Sequence, residues 1–229
     1  MKRVILLMSL VAFMLLDVAA KGPVFIHLVG DEVVAEEVSL EDVTATSPVG
    51  WGQVLGEYLE GVEIINRAFA GASTRSLLNG GDWADILSNA NRGSVMLIAL
   101  GIHDYEETDS LTYSSLEVFE YNLLQMAEEA TKNRVKVVLL TPVTKRFYYD
   151  SEFYPRHGAY AEGVRRVAAQ KKLPLIDLEA ETRAMVEEAG ELGSAVYFAG
   201  DSQVELSADG ARAVAQMVAN GLKELKIVK

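Results

Sequence analysis

The stretch Val24-Phe25-Ile26-His27-Leu28-Val29-Gly30-Asp31-Glu32 decides the fold. Its first six residues are apolar except for His27 and lack the polar alternation of a strand wetted on one face. Such a segment is expected where helices cover both faces of a parallel sheet. A glycine follows at once, then two acids, so the strand ends on a charged turn. The pattern recurs at Val62–Asn66, Val95–Leu100, Val135–Leu140 and Leu173–Leu178. Helical spacing separates these segments, over Trp51–Leu59, Trp83–Asn89, Ser115–Thr131, Tyr160–Gln170 and Ala180–Ala189, and a last helix runs from Ala208 to about Leu225. The alternation predicts an α/β fold: a doubly wound, five-stranded parallel sheet with helices on both faces. Ligands in such sheets bind beyond the carboxyl ends of the strands, so functional residues should follow Val29, Asn66, Leu100, Leu140 and Leu178.

Three of those ends carry unusual chemistry: Gly30-Asp31-Glu32, Ala70-Gly71-Ala72-Ser73-Thr74-Arg75 and Gly101-Ile102-His103-Asp104. Glycine lets a backbone approach a ligand, and amides at the next helix start receive negative charge. The other histidines read differently. His27 lies inside the first strand and is expected to be a satisfied structural residue, while His157 sits in a loop before a helix. Trp51 and Trp83 begin amphipathic helices and are expected in the core.

Lys2 and Arg3 precede an apolar run from Val4 to Leu16 broken only by Ser9, and Val18-Ala19-Ala20 follows. This is the pattern of a signal peptide over residues 1–20, too short to span a bilayer, leaving one domain over 21–229. The expectation is export, to the periplasm or the medium, with no membrane attachment after cleavage. The chain has no cysteine, hence neither a disulfide nor a lipidated cysteine. Its net charge is −12, and loss of Lys2, Arg3 and Asp17 would deepen it by one unit. An acidic surface of this kind repels nucleic acid, which is excluded as a partner.

Several blocks together resemble the SGNH (GDSL-type) hydrolases, on their rhamnogalacturonan acetylesterase branch. They are Leu28-Val29-Gly30-Asp31, Gly50-Trp51-Gly52-Gln53, Asn66-Arg67-Ala68-Phe69-Ala70-Gly71, Ser73-Thr74-Arg75-Ser76, Thr141-Pro142-Val143-Thr144-Lys145-Arg146, Pro174-Leu175-Ile176-Asp177-Leu178, and Leu206-Ser207 leading to Gly210-Ala211. The resemblance implies the flavodoxin-like SGNH-hydrolase fold, no cofactor and no metal. It also implies a serine nucleophile after Gly-Asp, an oxyanion hole from a glycine and an asparagine, and a histidine base with an aspartate three residues before it. On this chain those places fall on Glu32, Gly71, His103 and Glu205, with Ser202 at the aspartate position and Asp201 one residue early. A carboxylate at Glu32 has no proton to surrender, and Glu205 is no imidazole, so the Ser-His mechanism has lost both moving parts. The expectation is an inactive or repurposed esterase relative, with a plant cell-wall polysaccharide or oligosaccharide as its partner. Asp31, Phe147, Tyr148, Tyr149 and Tyr154 are the expected ligand contacts, the aromatic residues offering apolar faces to sugar rings from a loop after the fourth strand. The alternatives are an active carbohydrate O-deacetylase, or carboxylate or metal chemistry at Glu32, His103 and Glu205.

Overall fold

The computed structural model describes residues 22–36, 38–44, 46–156 and 158–229. The expected signal segment and His157 lie outside the described residues. Five strands form one sheet: β1 (Val24–Gly30), β2 (Val62–Asn66), β3 (Val95–Ala99), β4 (Lys136–Leu140) and β7 (Leu175–Ile176). Their order is β2-β1-β3-β4-β7, and every pairing is parallel. A small antiparallel hairpin, β5 (Tyr148–Tyr149) and β6 (Glu152–Phe153), stands apart from the sheet.

Because side chains alternate across a strand, each central strand feeds two cores. Ile26, Leu28, Leu97, Ala99, Val138 and Leu140 pack on one face, with helix α1 (Trp51–Val54), its 3-10 continuation (Leu55–Tyr58), helix α6 (Leu178–Ser194) and helix α7 (Ala208–Glu224). Val29, Met96, Ile98, Val137 and Leu139 pack on the other, with α2 (Thr74–Gly80), α3 (Asp82–Ser88), α4 (Leu116–Lys132) and α5 (Gly158–Lys171). Trp51 and Trp83 are buried, one in each core. Helix α7 shows how the sequence builds these layers. Ala211, Val214, Ala215, Val218, Ala219 and Leu222 recur at three- and four-residue intervals and are all fully buried, and the Ser207 hydroxyl caps the helix by accepting from the Gly210 amide. No helix among the described residues is long and apolar enough to cross a membrane.

The structure departs from the sequence expectations at four elements. Helix α2 carries no apolar periodicity long enough to be seen, and is set by a reciprocal Ser73–Ser76 capping box. The aromatic loop after β4 is instead the β5–β6 hairpin. The ladder of β7 reaches only Leu175 and Ile176. Helix α6 breaks at Gly190 (φ 68°, ψ 179°), beside the expected end at Ala189, but it starts two residues early and helical turns continue past the break to Ser194.

His27 departs as well, because it is not a satisfied residue. It is 1% exposed, and neither ring nitrogen has a hydrogen-bond partner among the described residues. Burial, helped by the charge of Arg67, pushes its imidazole below the ordinary value. The folded chain therefore holds a neutral ring that the unfolded chain protonates below about pH 6.5. Stability from this residue is present above that pH and is lost as the pH falls, by at most about 1.4 kcal/mol per pH unit. Thermal melts of the parent and of His27→Leu between pH 7.5 and 5 should show the smaller loss in the variant. Equal slopes would remove His27 as the cause.

Candidate active site

The site is built at the carboxyl ends of β1, β2 and β3, as a doubly wound sheet directs. After Gly30 the chain turns on Asp31. Its Oδ1 accepts the Val33 amide at 3.1 Å, and its carbonyl accepts the amides of Val34 and Ala35 at 3.0 and 2.9 Å. With Asp31 turned inward and 2% exposed, Glu32 reaches across the strand ends. The Gly71 amide donates to Glu32 Oε2 at 3.2 Å, and His103 Nε2 lies 2.9 and 2.7 Å from Oε1 and Oε2. Gly71 has φ 75°, a left-handed backbone that a side chain at this position would strain, and this conformation aims its N–H at the carboxylate.

The electrostatics follow from this geometry. Burial is the largest influence on Glu32 and pushes its carboxyl up, but the hydrogen bond and charge of His103 and the Gly71 amide together bring it below the usual range. The hydrogen bond to Glu32 raises His103 in turn, against its own desolvation. The contact thus favours the charged forms of both partners, a carboxylate beside an imidazolium, with side chains 13% and 24% exposed. Asp31 moves the other way. Complete burial, then the neighbouring Glu32 charge, raises it well above an ordinary carboxyl and favours its neutral acid.

His103 is held by its neighbour. Asp104 is fully buried and accepts from both the amide and the hydroxyl of Thr74, at 3.0 and 2.5 Å. Asn122 on α4 donates to the same hydroxyl at 3.1 Å. The loop after β3 is thereby clamped to the start of α2, three residues beyond Gly71. In sequence Asp104 is only the last residue of a glycine-led turn. Its partner Thr74 lies 30 residues away, and nothing local pairs them.

The final block is arranged differently from what the resemblance implies. The Ser202 hydroxyl accepts the amides of Val204 and Glu205 at 3.2 and 2.9 Å, so it closes a turn, as serine does in such loops. Asp201 is exposed. Glu205 is half-buried, with its carbonyl taken by the Ala199 amide at 2.9 Å. Among the described residues it is not a hydrogen-bond partner of Glu32, whose oxygens go to Gly71 and His103. Glu32, Gly71 and His103 thus come together as one site, and Glu205 is not joined to it by a hydrogen bond. Nor is there any cluster of three or more carboxylates and imidazoles arranged to hold a metal ion among the described residues.

The aromatic set divides. Tyr148 donates its hydroxyl to the Val186 carbonyl at 3.2 Å and packs on Phe153, which makes it a support of the hairpin against α6. Tyr149 and Tyr154 are 69% and 41% exposed and present open ring surface. Phe147 lies edge-on to Tyr154, with the Arg156 guanidinium 4.0 Å above its ring. The Arg146 amide donates to the Gln203 carbonyl at 2.8 Å, so the base of the hairpin borders the segment carrying Ser202 and Glu205. Lys145 reaches Glu106, in the loop after β3, at 3.8 Å. Beside Asp31 there is a small space of about 10 Å³ lined by Trp51, Ile102, Thr141 and Leu178, room for one water at most.

Comparison with known proteins agrees with this architecture. Residues 28–213 match the GDSL-like Lipase/Acylhydrolase family. Rhamnogalacturonan acetylesterase RhgT of Bacillus subtilis is 30% identical over 221 residues, covering 90% of this chain and 92% of its own. The probable rhamnogalacturonan acetylesterase YesY of the same organism is 28% identical, over 87% of this chain and 93% of its own. Among solved structures, the Bacillus subtilis protein YXIM superposes with a TM-score of 0.79 at 23% identity over 90% of this chain, which spans 58% of that longer protein. Axe2, an acetylxylan esterase from Geobacillus stearothermophilus, gives 0.65 at 16% identity, over 89% of this chain and 95% of its own. The chain belongs to the GDSL-like lipase/acylhydrolase family, on its rhamnogalacturonan acetylesterase-like branch.

Proposed function

We propose that this chain is an exported carbohydrate-esterase relative that no longer hydrolyses esters and instead binds a cell-wall glycan in the cleft beside the β5–β6 hairpin. One observation carries the loss of catalysis: the carboxylate at the nucleophile position is held by the Gly71 amide and His103, the two groups that the resemblance assigns to the oxyanion hole. An oxyanion hole works by presenting unoccupied donors to a developing charge. Here a permanent charge already occupies them. The residue that would attack is also an acid below its usual pKa, bound to two donors, and so a poor nucleophile. Tyr149, Tyr154 and the Arg156–Phe147 stack support glycan binding, since exposed rings take up sugar faces and a guanidinium favours an acidic sugar on an otherwise acidic protein. The relatives named for rhamnogalacturonan make an acetylated pectin fragment the first ligand to try.

With p-nitrophenyl acetate and with acetylated pectic oligosaccharide, the purified chain should release product no faster than buffer. Calorimetric titration with the same oligosaccharides should show binding, weakened several-fold by Tyr149→Ala combined with Tyr154→Ala. Hydrolysis well above buffer, abolished by Glu32→Ala or Glu205→Ala, would establish an active O-deacetylase in place of this reading.

A further inference from the structure

The Glu32 side chain is more than a missing serine. Both of its oxygens face His103 Nε2, one of them also takes the Gly71 amide, and the side chain is only 13% exposed. Donors fixed in this way form a receptor whether or not the carboxylate is covalently attached. On the Gly71 side the donor is set by a left-handed backbone. On the His103 side the buried Asp104–Thr74–Asn122 network clamps the adjoining residue, and with it the loop that carries His103, to α2. The glycine turn and the clamped loop are both built without Glu32, so the backbone that carries the two donors should stay in place when residue 32 is shortened.

We infer that the Gly71 amide and the His103 imidazole form a receptor for a small monocarboxylate, filled in this chain by its own Glu32, and that shortening residue 32 opens it to free acetate or formate. The size of the ligand follows from the chemistry. Glu32→Ala removes the second methylene and the carboxylate, and acetate replaces those atoms with one hydrogen added. Sulfate has a different shape, and pivalate carries three methyl groups where the largely buried Glu32 side chain has a single methylene. The inference rests on reading the site as a self-occupied oxyanion hole, but it requires neither glycan binding nor any particular rate of hydrolysis.

The test uses the full chain and its Glu32→Ala variant, melted in 100 mM sodium acetate and in sodium chloride of equal ionic strength. With a dissociation constant on the order of 10 mM, acetate should favour the folded variant about elevenfold and raise its Tm by about 3–5 °C. The parent should respond to acetate no more than to chloride. Formate should act like acetate and pivalate should not. The Gly71 amide proton should shift downfield as acetate is added to Glu32→Ala. Glu32→Ala with His103→Ala should lose the response. If Glu32→Ala folds poorly, Glu32→Ser provides the same opening with a smaller loss of polarity and should show the same acetate dependence. Identical melts in acetate and chloride for both variants, or an equal rise in the parent, would overturn the inference. If the variants respond to acetate while the parent cleaves esters, the inference stands and the proposed loss of catalysis fails.

Discussion

Gly210→Ala should cost this protein about 4 kcal/mol and leave little of it folded on heating. A β-carbon at Gly210 would sit 1.9 Å from the Tyr197 carbonyl oxygen and 2.8 Å from its carbon. That carbonyl is backbone and cannot rotate away, so the first turn of α7 would have to lift off the 3-10 turn at Ala195–Tyr197. Three contacts would be strained together: the Ser207 amide to the Tyr197 carbonyl at 3.1 Å, the Ser207 hydroxyl to the Val196 carbonyl at 2.6 Å, and the Gly210 amide to the Ser207 hydroxyl at 3.1 Å. Each such bond contributes about 1 kcal/mol, on top of the overpacking. The displaced segment holds the Phe198–Leu206 bridge, so the Ser202 turn and Glu205 would move as well. Gly221→Ala on the same helix is the control. The three atoms nearest its β-carbon would all belong to the Ile176 side chain, at 2.9, 3.0 and 3.1 Å, and helix propensity would return part of the cost. Urea denaturation should separate the two variants by at least about 2 kcal/mol. A Gly210→Ala midpoint close to the parent would show that the turn can move freely.

The parallel sheet and the two-faced core were legible because each central strand is a short, unbroken apolar run bounded by turn residues, the pattern of a strand covered on both faces. Those strands also located the site at their carboxyl ends. Glu32, Gly71 and His103 all lie there, each within a few residues of a glycine that ends a strand or follows one. Pairing between distant positions was not legible. The distance from His103 to Glu32 spans 71 residues of chain, and only the sheet order brings them to 2.7 Å. His27 defies its sequence reading for a related reason. Its place in a strand is visible, but whether a partner awaits it depends on β2 and β3, which offer Ile65 and Met96 alongside it. The hairpin reads as a loop because two-residue strands have no periodicity to detect. Tyr148 accordingly looks like a ligand contact in sequence, while in the fold its hydroxyl is tied to Val186 on α6.

Asp104→Ala should destabilise the fold by about 3 kcal/mol and loosen His103 with it. The substitution strips the Thr74 amide and hydroxyl of their shared acceptor in a fully buried place, and an unpaired buried donor costs about 1–3 kcal/mol. Against this stands the expense of keeping a carboxyl there at all, since burial raises Asp104 and the Thr74 bonds only partly bring it back. The net effect is therefore smaller than two full bonds, and should lower Tm by roughly 6–12 °C. Thr74→Val separates the parts, because it keeps the shape and the amide bond and loses the hydroxyl with its bonds to Asp104 and from Asn122, for about 2 kcal/mol. The expected consequence at the site distinguishes a clamp from a mere packing residue. In the parent, Glu32 holds His103 above its ordinary pKa, and NMR titration of the ring should report that. In Asp104→Ala the loop after β3 is no longer fixed to α2, the Glu32–His103 contact lengthens on average, and the imidazole should titrate closer to an unperturbed histidine. In Thr74→Val it should titrate as in the parent. A His103 pKa unchanged in Asp104→Ala would mean that Glu32 alone fixes the ring, and that the buried network serves stability without shaping the site.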